Sequence, residues 1–296
     1  MDENEWLARR FEEHRPHLRA VAYRMLGSLA EADDAVQESW LRLSRADTDD
    51  VRNLGGFLTT IVARVCLNML RSRTSRREEP LDVHVPDPIV SPSTGLDPEQ
   101  QVLLADSVGL ALLVVLQTLA PAERLAFVLH DMFGMAFDEI APIVDRSPTA
   151  ARQLASRARR RVRGTAPEPE TDPIRQREVV DAFLAASHAG DFEALVAVLA
   201  PDVVLRADSG AAAAGVGASA VIHGAENVAN QALSFARFAH FGRPALVNGA
   251  AGLVTVAEGR PRAVLGFTVR DGRIVEINIL ADPERVSQID LTVLDD

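Results

Sequence analysis

Apolar residues recur at helical spacing through the first half of the chain and in alternation near its end. Glu31–Leu43 (EADDAVQESWLRL) and Gly56–Arg71 (GFLTTIVARVCLNMLR) show the clearest helical patterns. Helical spacing returns over 98–163, interrupted at Ala120-Pro121 and at Gly134. Beyond residue 174 two short helices, 174–189 and 191–199, precede a strand at Val203–Ala207, a Gly/Ala-rich loop and a helix near 225–239. Strand-like runs follow at 244–248, 252–258 and 262–270, and Asp271-Gly272 signals a hairpin into Arg273–Leu280. Two stretches break the periodicity. Residues 78–98 carry Pro80, Pro86, Pro88, Pro92 and Pro98 with a surplus of acid, and 164–173 (GTAPEPETDP) is short and proline-rich. These breaks divide the chain into an all-α unit at 1–77, an extended acidic linker at 78–98 and a second all-α unit at 99–164. A hinge at 165–173 and an α+β unit at 174–296 complete it, so the fold class is multidomain.

The second helical unit ends in a pattern with chemical content. Ser147 is a good N-cap, and Pro148 suits the first helical position, where its missing N–H is not needed. Ala151, Leu154, Ala155, Ala158 and Val162 then make one narrow apolar face. Phe137, Ile140 and Val144 form a short amphipathic helix upstream, with Asp145-Arg146 at the turn. Residues 134–163 therefore read as a helix-turn-helix. Thr149, Arg152, Gln153, Ser156, Arg157, Arg160 and Arg163 fall largely outside that face, and Ser147 joins Thr149, Arg152, Gln153, Ser156 and Arg157 as a DNA-contact candidate. Arg and Gln there have the fork geometry for guanine and adenine edges, and the later arginines suit phosphate oxygens.

A net charge of −11 argues against nucleic acid until its distribution is considered. All 31 basic residues are arginine; 64–77 and 146–163 hold dense runs of them with no acid between. A chain acidic overall with two local basic patches binds nucleic acid at those patches. The single cysteine, Cys66, excludes an internal disulfide and a multi-cysteine zinc site. The charged N-terminus has no signal-peptide core, and Val108–Leu116, read as the longest apolar stretch, is too short to span a bilayer. A soluble, cytoplasmic protein with no membrane contact is expected.

Two helical units on either side of an acidic linker, the second ending in a helix-turn-helix, resemble the extracytoplasmic-function (ECF) sigma factors of bacteria. Glu31–Trp40 (EADDAVQESW) resembles the helix that grips the clamp helices of core RNA polymerase, which implies contacts by Asp34, Gln37 and Glu38. Their i, i+3, i+4 spacing independently puts them on one helix face. Phe57–Arg73 resembles the segment that melts and reads the minus-ten element, with Phe57 where many relatives have Trp. That match implies strand contacts by Arg64, Asn68, Arg71, Ser72 and Arg73. Residues 134–163 resemble the minus-thirty-five reader. Glu78, Glu79, Asp82 and Asp87 would line a basic polymerase channel that otherwise carries RNA.

The last third resembles SnoaL-like (NTF2-like) cones, and Tyr23–Gly27 (YRMLG) resembles a motif of sigma factors carrying that extension. Three motifs of that group depart here. His84-Val85-Pro86 stands for Trp-Leu-Pro, Asp208-Ser209-Gly210 runs into alanines without a lysine, and Asp282-Pro283-Glu284-Arg285 stands for Asn-Pro-Asp-Lys. The resemblance implies that Asp208 and Asp282, Pro283, Glu284 and Arg285 act in regulation through contact between the cone and the sigma domains. Some cones of this kind are enzymes, with a carboxylate or histidine in the pocket. Asp208, His223, Asp202 and Asn278 are the candidates, but none pairs by spacing. The expectation is no enzyme activity and no cofactor or metal, with core polymerase and promoter DNA as partners. The alternative is a helix-turn-helix operator-binding regulator with a ligand-sensing C-terminal domain.

Overall fold

A computed structural model describes residues 3–45, 53–75, 83–92, 109–167, 170–210, 219–236, 241–289 and 294. The chain forms two compact units: Met1–Glu79 with Val115–Thr165, and Pro80–Val114 with Ala166–Asp296. The sequence suggests two helical units on either side of an extended acidic linker. In the structure the two helical regions pack as one unit, and the segment between them groups with the cone.

The first unit opens with helices α1 (Glu3–Leu26), α2 (Leu29–Leu43) and α3 (Leu54–Ser75). Ser28 caps α2, accepting from the Glu31 amide. The helices bury Leu18, Met25, Val36, Leu43, Leu58, Val62 and Leu67 against one another. Leu54–Arg73 is long and apolar enough to cross a membrane by composition, which corrects the choice of Val108–Leu116 as the longest such stretch. Its apolar side is part of this three-helix core. Helix α4 (Leu110–Gln117) enters this unit only from Val115, and α5 (Pro121–Phe127), a π-helical turn at Val128–Met132, α6 (Phe137–Val144) and α7 (Pro148–Thr165) follow. Helices α5 and α6 pack on α3. Arg124 of α5 donates to the Met25 carbonyl at 2.8 Å. Phe133 receives the Arg24 guanidinium over its face at 4.5 Å and the His17 ring at its edge.

The second unit is a seven-stranded sheet packed on helices. Helices α8 (Pro173–Ala189) and α9 (Phe192–Val198) lead into strands β2 (Leu199–Asp208) and β3 (Ala220–His223), then α10 (Ala225–Ser234). Strands β4 (Gly242–Val247), β5 (Ala250–Ala257), β6 (Arg260–Arg270) and β7 (Arg273–Leu280) form a meander before the short α11 (Pro283–Val286). The turn residues Asp271 and Gly272 both have positive φ, 52° and 73°, as a tight hairpin requires. Strand order is β1-β4-β5-β6-β7-β2-β3, with β2 parallel to β7. The first strand in that order, β1 (Val90–Ser91), comes from the linker. One sheet face closes over Phe183, Leu195, Val228, Leu253, Phe267 and Ile277. The strands β1 and β3 lay inside a stretch read from sequence as linker and as loop. The expected 225–239 helix ends at Ser234 among described residues, and 237–240 lie outside them. The end of the predicted hinge rests on the cone, where Glu170 N–H donates to Val269 at 2.7 Å.

Candidate functional site

The residues singled out in the sequence occupy three surfaces of the first unit and one cluster in the second. On α2, Asp34 and Gln37 are exposed and Glu38 is half-buried, with its carboxylate 2.9 Å from Arg42. The opposite side of α2 is held by Ala32, Ala35, Val36 and Leu43, so the acidic face is available while the apolar one is not.

On α3, Arg64, Asn68 and Arg71 are exposed at i, i+4 and i+7, which aligns them on one face. Ser72 is half-buried, and Arg73 is paired with Glu31 of α2. Arg73 is therefore engaged within the fold, unlike its three neighbours on the stripe.

The helix-turn-helix is built as its sequence suggests locally. Asp145 takes the left-handed conformation (φ 56°, ψ 48°) that turns α6 into α7. Ser147 Oγ accepts from the Ala150 amide at 3.2 Å, and Pro148 opens α7. Ala151, Ala155 and Ala158 are fully buried, so small residues let α7 lie close on its neighbours. Ser147, Thr149, Arg152, Gln153, Ser156 and Arg157 are all exposed. Arg152 lies 5.3 Å from the centre of the Phe137 ring, and that ring stacks on His130 at 3.9 Å. Arg159 leaves this surface to bind Asp131 at 2.7 Å, which raises its pKa through that hydrogen bond.

The cluster in the second unit is the least predictable from sequence. Asp208 ends β2 with its side chain 1% exposed. One of its oxygens accepts from the Val85 amide at 3.0 Å and from Arg285 Nη1 at 2.8 Å. The other accepts from the Gly210 amide at 3.1 Å, and His84 Nδ1 stands 3.4 Å from the carboxylate. Burial alone would push the carboxyl up. The hydrogen bonds from His84, Val85 and Gly210, together with the Arg285 charge, outweigh it and hold the pKa at about 2, below the ordinary 3.8. Arg285 also donates from Nε to Asp87 at 2.7 Å and from Nη2 to the Val85 carbonyl at 2.6 Å. Asp282 caps α11 through the Glu284 amide at 2.9 Å, with Pro283 in the first turn and the Glu284 carbonyl bonded to Ser287. Gly210, at φ +78°, leaves room for Asp282, since a Cβ there would lie 2.6 Å from its Oδ2. Farther along the linker, Ile89 exchanges bonds with Asn248, and β1 pairs with β4.

The extended linker thus has a seat on the cone. Residues 83–92 are fastened to the cone by an arginine clamp and a strand pairing. Asp87 therefore faces Arg285. Glu78, Glu79 and Asp82 lie outside the described residues. Among the described residues no three metal-ligating side chains converge. The cone's catalytic candidates are scattered. Asp208 and Asn278 point to the sheet face that meets the linker, where Asn278 bonds Glu276 at 3.1 Å. His223 and Asp202 are exposed. Sequence reasoning missed Asn248, although its pairing with Gly249 is a turn signal, and it missed Arg124, whose acceptor lies 99 residues away.

Three family models match in series: Sigma-70 region 2 at residues 10–76, Sigma-70 region 4 at 109–162 and a SnoaL-like domain at 180–277. The chain is 39% identical over 289 residues to the ECF RNA polymerase sigma factor SigJ of Mycobacterium tuberculosis, covering 93% of this chain and 91% of that protein. It is 33% identical to a second protein of that species, described as "Probable ECF RNA polymerase sigma factor SigI", with 98% of both chains covered. Its fold matches the crystal structure of M. tuberculosis SigJ at a TM-score of 0.75 and 34% identity, over 97% of this chain and 99% of that one. The operator-binding alternative leaves the region 2 match unexplained and is set aside. The helical unit, its helix-turn-helix and the fused cone thus have one account: the chain belongs to the extracytoplasmic-function RNA polymerase sigma factors, with a SnoaL-like domain fused at its C-terminal end.

Proposed function

We propose that this sigma factor meets the polymerase clamp helices through Asp34, Gln37 and Glu38, and promoter DNA through two arginine-bearing helix faces. Arg64, Asn68 and Arg71, with Ser72 and Arg73 beside them, contact the opened minus-ten strand. Cations track its backbone and polar side chains take its bases. Ser147, Thr149, Arg152, Gln153, Ser156 and Arg157 read the minus-thirty-five duplex in the major groove. Exposure of all of these but the half-buried Glu38, Ser72 and Arg73, beside buried apolar faces, supports the assignment. The protein acts in the cytoplasm. Its working segments are 1–77, 99–164 and 174–296, with 78–98 and 165–173 between them.

The cone's role is regulatory rather than catalytic. One observation carries this reading: Arg285 joins Asp208 of the cone to Asp87 and the Val85 carbonyl of the linker between the two sigma regions. A linker held there is not free to enter a polymerase channel, so the clamped form restrains initiation. Asp282, Pro283 and Glu284 serve by shaping the short helix that presents Arg285.

In vitro transcription with sigma-free core polymerase tests both parts. Full-length Arg285→Ala and Asp87→Asn are expected to raise initiation several-fold on a cognate promoter. Unchanged or lower output from both would overturn the clamp as a restraint. Arg152→Ala or Gln153→Ala is expected to cost about 1–3 kcal/mol of discrimination at one base pair each. Binding that weakens equally on all sequences would reassign those residues to phosphates.

A further inference from the structure

A cavity of about 530 Å³ opens inside the cone between α8, α10 and the inner faces of β2, β5, β6 and β7. Its wall is nearly all apolar. Leu184, Ala207, Leu265 and Ile279 line it and remain only partly buried, and Phe241 at the wall is 47% exposed. Unfilled apolar surface of this kind, in a concave site of this volume, is of the size that takes a small organic ligand. The wall's polar groups are few and mostly committed. The Thr255 hydroxyl donates to the Ala263 carbonyl, and Ser187 and Gln231 on the helices and Ser209 after β2 are the other neutral polar side chains. Its one carboxylate, Glu258, is 87% exposed and paired with Arg262. Asp208 and Glu276 sit on the other side of the same strands. Neither a buried charge nor an acid–base pair faces the interior among the described residues.

We propose that this cavity binds an uncharged, largely apolar small molecule, and that its occupancy is felt at the linker clamp. Neighbouring residues of a strand point to opposite sheet faces. Ala207 lines the cavity while Asp208 holds the linker. Ala281 also lines it, its amide donates to the Asp208 carbonyl at 2.7 Å, and the next residue, Asp282, opens the helix that carries Arg285. A ligand that binds the folded cone suppresses opening of these strands by mass action. The linker's attachment rests on them, so its opening is suppressed as well. The regulatory meaning rests on the clamp reading above; the binding does not.

The test uses the full chain without polymerase, so its failure is distinct from failure of the transcription assay. The neutral dye Nile red is titrated into wild type and into two cavity-filling variants, Ala263→Trp and Ala232→Phe, each checked for unchanged cooperative unfolding. One saturable site in wild type, weakened at least tenfold in whichever variant folds, is expected. Displacement by 1-decanol at a concentration at least tenfold below decanoate is expected from the lining. Equal binding in a folded variant overturns the site, and equal or stronger displacement by decanoate overturns the ligand class. Hydrogen exchange at saturating decanol is expected to slow at least threefold at both the Ala281 and Val85 amides. Slowing at Ala281 with Val85 unchanged overturns the coupling.

Discussion

Two arginines, Arg124 and Arg285, each tie together segments far apart in the sequence, and they do so with very different completeness. Arg285 reaches two carboxylates and a carbonyl, and the carboxylates gain further bonds from His84, Val85 and Gly210. Arg124 is buried with one carbonyl acceptor, Met25, and its Nε has no partner among the described residues. Burial, with the nearby Arg73 charge second, pushes its pKa down to about 10, so it stays protonated at neutral pH but poorly compensated. A buried ion pair adds little net stability, but removing one partner is costly because it strands the other charge, whereas a buried charge with few bonds leaves little to lose. The comparison separates a lasting attachment, linker to cone, from a contact suited to letting go.

The sharpest way to break the comparison is Arg285→Ala. It strands the buried Asp208 without its cation, and the expected loss is about 3–5 kcal/mol in the cone's unfolding transition. Exchange at the Val85 amide should accelerate in step. Arg285→Lys should recover only part, because a point cation cannot reach Asp87, Asp208 and the Val85 carbonyl with one planar fork. A loss under 1 kcal/mol would mean that the clamp is no stronger than an exposed ion pair.

Glycines offer a second handle. Gly210→Ala meets both a left-handed backbone and the Asp282 carboxylate, so a loss of about 2–3 kcal/mol is expected. Gly134→Ala in the helical unit, at φ +68° with nothing within 4 Å of the added carbon, should lose only about 1 kcal/mol. Denaturant unfolding of both variants checks the order, and equal losses would remove the steric part of the argument.

Acid sharpens the same point. Asp208 titrates at about 2 in the folded chain against 3.8 ordinarily, so the folded state prefers its carboxylate. Its contribution is fully present above pH 4 and is lost as pH falls toward 2. The difference amounts to about 2 kcal/mol. Asp208→Asn should flatten that part of the stability profile. A profile equally steep in Asp208→Asn would place the acid sensitivity elsewhere.

Much of this was legible because local rules carried it. The Ser147-Pro148 start, the alanine face of α7 and the Asp271-Gly272 hairpin each act within a few residues. Helical periodicity marked which faces of α2, α3 and α7 stand outside the apolar core, while the roles given to those on α2 and α3 came from the sigma-factor resemblance. The linker's place did not follow, because its bonds span 123 to 200 residues and the resemblance at His84-Val85-Pro86 marked a motif without its seat. Strand β1, two residues long, has no periodicity to detect. The motif resemblance singled out Asp208 and Arg285, yet only the fold puts them on one carboxylate–guanidinium pair. The packing of Arg124 and Phe133 on α1 was likewise invisible, since an arginine in a helix is ordinarily solvated.

The smallest expected effect tests the weak side of the comparison. Elements named minus-ten and minus-thirty-five lie about 25 base pairs apart, about 85 Å along B-form DNA at 3.4 Å per pair. A packed unit of about 130 residues has a radius of gyration of about 14 Å. On the proposed reading the two helix faces part to engage one promoter, and the contact between them is then one that should be cheap to open. Arg124→Met removes the desolvated charge and its single hydrogen bond while keeping an apolar stem of similar length. The gain and the loss should nearly cancel, leaving stability within about 1 kcal/mol of wild type by denaturant unfolding. Exchange protection of the α5 amides should change little for the same reason. A loss above 2 kcal/mol would show Arg124 to be a second clamp, one that would have to break before both promoter elements could be engaged together.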